Sequence, residues 1–133
     1  MSEERILVVD DNPTNLKLAC EVMGCSGYRV SGATDAEQAL KENEQSPPDL
    51  ILMDIGLPGM DGLTLTRKLK GDEATRHIRI VALTAFAMKG DEEKAMEAGC
   101  DGYISKPMNT RVLAAQVAEC LRERETEVGT RDP

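Results

Sequence analysis

The sequence predicts an α/β fold in which a parallel sheet is covered by helices on both faces. Short aliphatic or β-branched runs alternate with longer segments whose apolar residues recur at helical spacing, and this βα unit occurs five times in 133 residues. The first strand-like run, over 5–9, shows little alternation with polar residues, which is typical of a strand buried on both faces of a sheet. The second run, over 28–33, alternates and is expected to be more exposed. Strands that alternate with helices indicate parallel pairing.

The predicted elements follow one another in regular order. The predicted strands lie over 5–9, 28–33, 49–54, 78–84 and 102–105. The predicted helices carry apolar stripes over 13–25, 35–45, 63–71, 91–98 and 109–124. Asn12 before Pro13 is typical of a helix start, and Thr34 with Glu37 three residues later is a capping-box pattern.

Length and charge exclude several classes of protein. The chain suits one domain over residues 1–124, followed by a flexible polar tail over 125–133. A net charge of −8 argues against a nucleic-acid surface. No apolar run is long enough to cross a membrane, and a core strand by Ile6 leaves no room for a signal peptide. We therefore expect a cytoplasmic protein without a membrane partner.

The cysteines and the histidine carry no obvious chemistry. Cys20, Cys25, Cys100 and Cys120 form no CxxC pair, and we expect them to be small core residues in a reducing compartment. His77 lies in a polar connection without a second histidine, so we expect it on the surface.

Polar residues of chemical interest follow four of the five predicted strands. Asp10 and Asp11 follow the first strand, Asp54 ends the third, Thr84 ends the fourth and Lys106 follows the fifth. In open parallel sheets, ligands bind at the carboxyl ends of the strands. We therefore expect these side chains to meet at one edge of the sheet.

Three carboxylates at one edge repel one another, and a hard cation relieves that repulsion. Mg²⁺ takes few protein oxygens, keeps waters and often shares its shell with phosphate. We expect Asp11 and Asp54 as direct ligands, Asp10 orienting a metal-bound water, and the backbone carbonyl of Gly56 completing the set. Mn²⁺ can substitute for Mg²⁺. The alternative is that Asp10-Asp11 is only a helix start, where acids are favoured.

Asp54 is the candidate phosphoryl acceptor. It ends a buried apolar run and precedes a loop rich in glycine, and carboxylates form acyl phosphates in phosphoryl transfer. The metal, the Lys106 ammonium and the Thr84 hydroxyl would stabilise the charge on the phosphoryl oxygens. The Lys106–Pro107 bond is a candidate cis peptide, which would aim the lysine inward.

These motifs together resemble the receiver domain of response regulators in two-component signalling. The matching stretches are 8–12, 52–62, 82–85 and 103–107, and the resemblance covers residue 4 to about residue 122. Residues 83–93 further resemble DivK-type single-domain regulators and the receivers of hybrid histidine kinases. The resemblance implies a doubly wound (βα)5, flavodoxin-like fold with strand order 2-1-3-4-5.

The resemblance implies a phosphoacceptor switch, not a conventional enzyme, which helps to catalyse its own phosphorylation and dephosphorylation. Asp54 would take a phosphoryl group from a phosphohistidine on a histidine kinase or a histidine phosphotransfer protein, with Mg²⁺ at Asp10, Asp11 and Asp54. Thr84 would turn toward the phosphoryl group and Tyr103 would swing inward. The surface of the fourth helix, fifth strand and fifth helix would then change for an unidentified protein target. The alternative for Tyr103 is a half-buried strand aromatic without a switching role.

Two positions depart from features associated in this family with the rate of self-dephosphorylation. Gly56, two residues after the acceptor, has no side chain to position water, and Phe86, two after Thr84, is bulky and apolar. We expect a long-lived phosphorylated form. Phe86 has the alternative role of a contact with a partner protein.

Other functions compete with this interpretation. No output module follows the predicted domain, so we expect a standalone regulator whose output is made through protein contacts. The alternative is a receiver excised from a hybrid histidine kinase phosphorelay. A haloacid-dehalogenase-like phosphatase also uses an aspartyl nucleophile, but it places two acids as Asp-x-Asp at one strand end, whereas Asp10 and Asp11 are adjacent. A degenerate receiver that only binds a partner would not need the complete set of acids, hydroxyl and lysine.

Overall fold

The computed structural model describes residues 4–54, 62–84, 89–105 and 113–121. The strands are β1 (Arg5–Val9), β2 (Arg29–Ala33), β3 (Leu50–Asp54), β4 (Arg79–Thr84) and β5 (Gly102–Ser105). The helices are α1 (Pro13–Cys25), α2 (Ala36–Gln45), α3 (Gly62–Lys70), α4 (Lys89–Ala98) and α5, described over 113–121. The strands form one parallel sheet in the order β2-β1-β3-β4-β5, which confirms the predicted fold class and strand order.

The sheet separates two apolar clusters, because successive side chains of a strand point to opposite faces. On one face, Val9, Met53 and Ala82 pack beneath α2, α3 and α4. On the other face, Val8 and Leu52 pack with residues of α1 and α5. Both faces of the central strands are buried, which explains why their sequences are continuous apolar runs.

Helix α1 begins as predicted. The Asn12 side chain accepts hydrogen bonds from the backbone N–H groups of Thr14 and Asn15, at 2.9 and 3.2 Å, and Pro13 occupies the first turn. These bonds satisfy two of the donors that a helix start leaves without a partner. The connection from β1 to α1 is thereby fixed.

The predicted cap of α2 was wrong by one residue. Asp35, not Thr34, is the N-cap, and its carboxylate accepts from the backbone N–H of Gln38 at 2.8 Å. The Gln38 side chain in turn accepts from the backbone N–H and the hydroxyl of Thr34, each at 3.0 Å. With Asp35 as the cap, Ala36 faces the core and Glu37 is exposed. Burial of the apolar stripe of α2 therefore favours the cap at Asp35 over the capping-box pattern at Thr34.

The remaining boundaries differ by small amounts. Helix α4 begins at Lys89, two residues before the predicted start at residue 91, so the glycine at position 90 belongs to the first turn of the helix instead of the predicted loop. Helix α3 runs from Gly62 to Lys70 instead of 63–71. The outer turns of the predicted helix 109–124 and the predicted tail 125–133 lie outside the described residues.

The cysteines do not all lie in the core. Cys100 is buried and Cys20 and Cys120 are half-buried, as predicted, but Cys25 is exposed. Cys25 is the last residue of α1 and falls off the stripe through Ala19 and Met23 that faces the sheet. The four thiols, all within the described residues, are not joined by disulfides. His77 is exposed, as predicted.

A polar network joins α3, β4 and the turn before β5. The Lys70 ammonium donates to the Asp101 carboxylate at 2.9 Å and to the backbone carbonyl oxygens of Arg76 and Ile78 at 3.2 and 2.7 Å. Asp101 also accepts from the Arg79 guanidinium at 3.2 Å. The network lies toward the amino ends of the strands, away from the edge where the acids meet. In the described part of the chain, no helix is long and apolar enough to cross a membrane.

Candidate functional site

The strand register brings the predicted acids together. Val9 of β1 pairs with Met53 of β3, so the next residues, Asp10 and Asp54, leave neighbouring strands at the same level. Asp11 follows directly at the β1–α1 turn. The carboxyl edge of the sheet therefore holds all three carboxylates, as the sequence predicted.

The three acids form a compact cluster. One carboxylate oxygen from each of Asp10, Asp11 and Asp54 lies within 4.8 Å of the others. Asp10 is 0% exposed and Asp54 is 7% exposed, whereas Asp11 is exposed. The cluster is thus buried at Asp10 and Asp54 and accessible to solvent at Asp11.

Backbone contacts hold Asp10 in place. Its carboxylate accepts from the backbone N–H of Asn12 at 2.9 Å, and its own N–H donates to the carbonyl oxygen of Ala33 at 3.0 Å. A buried carboxylate is stabilised by such bonds. Because Asn12 also caps α1, one turn both starts the helix and aims the acid.

The cluster suits a divalent cation. At 4.8 Å, two unit charges repel by about 3 kcal/mol at an effective dielectric constant of about 20. Carboxylate oxygens are the donors that Mg²⁺ prefers, and it accepts a site with one or two of them that leaves room for water and phosphate. The accessible Asp11 and the buried Asp54 provide such donors on the two sides of the site.

The backbone places Thr84 and Tyr103 on the neighbouring strands. Asp54 pairs with Leu83, so Thr84 is the next residue of β4 and ends that strand at the same edge. Tyr103 of β5 pairs with Ala82 and is half-buried against the cluster beneath α2, α3 and α4. Tyr103 therefore lies on the strand next to β4, in contact with the core.

Four predicted site residues lie outside the described residues: Gly56, Phe86, Lys106 and Pro107. The predicted backbone ligand, the two positions linked to dephosphorylation, the ammonium group and the cis peptide stay predictions.

The bonds that hold Asp10 were not predicted. Asn12 was predicted only as the helix cap, although an aspartate two residues before such a cap is a signal for a turn in which the acid accepts from the backbone. The bond from Asp10 to Ala33 joins β1 to β2 and has no local signal.

Comparisons with known proteins agree with this geometry. The family model of the response regulator receiver domain matches residues 6–118. The chain belongs to the response regulator receiver domain family. The polar-differentiation response regulator DivK of Brucella ovis is 47% identical over 104 residues, which are 78% of this chain and 85% of the relative.

Two solved structures show the same fold. A CheY-like response regulator receiver domain protein from Methanospirillum hungatei has a TM-score of 0.86 at 33% identity, covering 95% of this chain and 99% of that one. The receiver domain of a signal transduction histidine kinase from Syntrophus aciditrophicus has a TM-score of 0.82 at 32% identity, covering 90% and 91%.

Family membership gives the cluster a general role. Receiver domains are signalling switches of two-component systems, not conventional enzymes, and they interact with histidine kinases or phosphotransfer proteins. The cluster of Asp10, Asp11 and Asp54 in this receiver domain is consistent with Mg²⁺ binding and aspartyl phosphorylation.

Proposed function

We propose that this receiver domain acts as a single-domain response regulator that accepts a phosphoryl group at Asp54. The donor is a phosphohistidine on a histidine kinase or a histidine phosphotransfer protein. The observation that carries the proposal is the buried Asp54 at the end of β3, with Asp10 and Asp11 within 4.8 Å. The similarity to DivK supports the single-domain part, and thiols without disulfides fit a cytoplasmic location.

The transfer needs few protein groups. A carboxylate oxygen of Asp54 attacks the phosphorus, the P–O bond forms, and the P–N bond to the imidazole breaks with its electron pair left on the ring nitrogen. Asp11 and Asp54, with the Gly56 carbonyl, would hold Mg²⁺ or Mn²⁺ directly, and Asp10 would orient a metal-bound water. The metal, when bound, supplies positive charge that offsets the charge on the phosphoryl oxygens.

The response would reach a protein target through α4, β5 and α5. Thr84 and Lys106 would contact the phosphoryl group, and Tyr103 would follow Thr84 inward, so that phosphorylation favours one of two arrangements. Tyr103 packs against the core cluster beneath α2, α3 and α4, and its hydroxyl oxygen is buried, so the residue is in contact with elements that would rearrange. Met96 on α4, 50% exposed, is a flexible apolar side chain suited to a protein contact.

The phosphorylated form should be long-lived. Gly56 has no side chain that could orient water, and a bulky, apolar Phe86 would restrict the entry of water. A half-life of seconds for the isolated phosphorylated protein would contradict this part of the proposal.

Acetyl phosphate with MgCl₂ tests the acceptor directly. Intact-mass measurement should show one added phosphoryl group on the wild type and none on Asp54→Ala, and chelation of the metal should abolish labelling. Asp72→Ala, an exposed aspartate in the α3–β4 connection, is the matched control and should label normally. Labelling of Asp54→Ala would overturn the assignment, and an unreactive wild type would favour a receiver that only binds a partner.

A phosphotransfer profile against candidate kinases and phosphotransfer proteins tests the donor. The similarity to the Syntrophus receiver keeps a second origin open, a receiver excised from a hybrid histidine kinase. Preferential return of the phosphoryl group from Asp54 to a phosphotransfer protein would favour that origin. Retention on Asp54, together with phosphorylation-dependent capture of a target, favours the single-domain regulator.

A further inference from the structure

We propose that the crevice between β5 and α5 receives an arginine side chain of a partner protein. This inference rests on the proposed output surface and names the chemistry that one part of it recognises.

The crevice is large enough for one long side chain. It has a volume of about 160 Å³ and is lined mainly by Val81, Gly102, Ile104, Gln116, Glu119 and Cys120. An engineered apolar cavity of about 150 Å³ holds a benzene molecule, so this crevice can hold the stem and head of an arginine.

Gly102 keeps the crevice open. A Cβ atom at this position would lie 3.4 Å from both the Cys120 Sγ and a Val81 Cγ atom. Any larger side chain would extend from that point into the space between the edge strand and α5. The opening therefore depends on a residue that contributes no side chain to it.

Two side chains of the crevice, Gln116 and Glu119, offer acceptor oxygens. The Oε1 atom of Gln116 is buried and has no hydrogen-bond donor among the residues that the structure describes. A buried acceptor is destabilising unless a donor reaches it. Glu119, exposed on the next part of α5, adds a carboxylate to the same crevice. An occupant that supplies several donors and a positive charge satisfies both groups.

Arginine meets these requirements better than other side chains. Its planar guanidinium carries five N–H donors, so it can serve a carboxylate and an amide oxygen together. Its methylene stem suits the apolar walls at Val81 and Ile104. The net charge of −8 on the chain favours approach of a basic partner surface.

The test titrates the isotope-labelled, unphosphorylated full chain with N-acetyl-arginine methylamide and follows amide shifts by NMR. The neutral isostere N-acetyl-citrulline methylamide is the matched probe. We expect saturable shifts at Gly102, Ile104 and the Gln116 side-chain amide with the arginine probe and weaker shifts with citrulline. Glu119→Gln should weaken arginine binding about five-fold. Glu97→Gln, an exposed acid on α4, should leave binding unchanged.

Equal shifts with both probes, or equal losses in Glu119→Gln and Glu97→Gln, would overturn the proposal. Shifts elsewhere with none in the crevice would do the same. Both substituted residues are exposed, so a folded spectrum is expected for each variant. Acetyl phosphate labelling of Glu119→Gln should match that of the wild type. The arginine titration therefore tests the crevice alone and the labelling tests Asp54 alone, so either proposal can fail without the other.

Discussion

At the scale of single residues, Asp54 combines burial with repulsion from its neighbours. Without a cation, Asp10 and Asp11 disfavour its negative charge at separations of up to 4.8 Å. We expect Asp54→Asn to raise the free energy of unfolding by about 1 kcal/mol in EDTA. The substitution removes the charge repulsion, and this gain should exceed the loss from weaker polar contacts. Thermal unfolding in EDTA measures this.

Added Mg²⁺ should make the wild type more stable than Asp54→Asn. Because a ligand that binds only the folded state stabilises it, Mg²⁺ should raise the melting temperature of the wild type more than that of Asp54→Asn. Asp72→Asn serves as the control and should respond to Mg²⁺ as the wild type does. A lower stability of Asp54→Asn in EDTA would mean that the contacts of Asp54 exceed the repulsion.

The cysteines give a second test at this scale. Burial raises the pKa of the Cys100 thiol, and a hydrogen bond from Cys100 to Thr66 acts in the opposite direction. Burial likewise raises the pKa of Cys20. Since the thiolate is the reactive form, we expect a maleimide at neutral pH to modify the exposed Cys25 first and Cys100 last. Peptide mapping over time measures the order, and Cys25→Ser should lose the fastest phase.

At the scale of elements, the contact of α3 with the turn before β5 is polar and largely buried. The side chains of Lys70 and Asp101 are 20% and 21% exposed. Gly99 ends α4 at a φ of 110°, and a Cβ atom there would lie 2.9 Å from the Lys70 Cγ. The lysine stem therefore lies directly over a glycine that other residues cannot replace without strain.

Loss of Lys70 should weaken the joined elements. We expect Lys70→Met to lower the free energy of unfolding by about 2 kcal/mol, because it removes an ion pair and two bonds to backbone carbonyls while Arg79 still contacts Asp101. Lys41→Met is the control: its pair with Glu37, at 3.9 Å, is 70% and 82% exposed, so the loss should be below about 0.5 kcal/mol. Urea unfolding measures both, and equal losses would contradict the buried role of Lys70.

At the scale of the whole molecule, the sheet and its two apolar clusters contain the described core. The predicted polar tail over 125–133 has few apolar residues. We expect truncation after residue 124 to leave the melting temperature and acetyl phosphate labelling at wild-type levels. A clear loss of stability would show that the tail contacts the domain.

The overall fold was largely predictable because its signals are local or periodic. Apolar runs and helical stripes located the strands and helices, and Asn12-Pro13 located the start of α1. The acids were predictable as a group because they end strands that the βα order makes parallel. The cap at Asp35 was missed because two adjacent residues offered competing local patterns, and core packing decided between them.

The sequence by itself determined which residues end the strands, and hence that Asp10, Asp11 and Asp54 share an edge. Tertiary structure alone decided the separations within that cluster, the pairing of Lys70 with Asp101 and the opening beside Gly102. The physical reason is that periodicity and capping act over a few residues. Charge pairing and cavity shape depend on side chains that are far apart in the chain and are brought together only when the sheet and its helices pack.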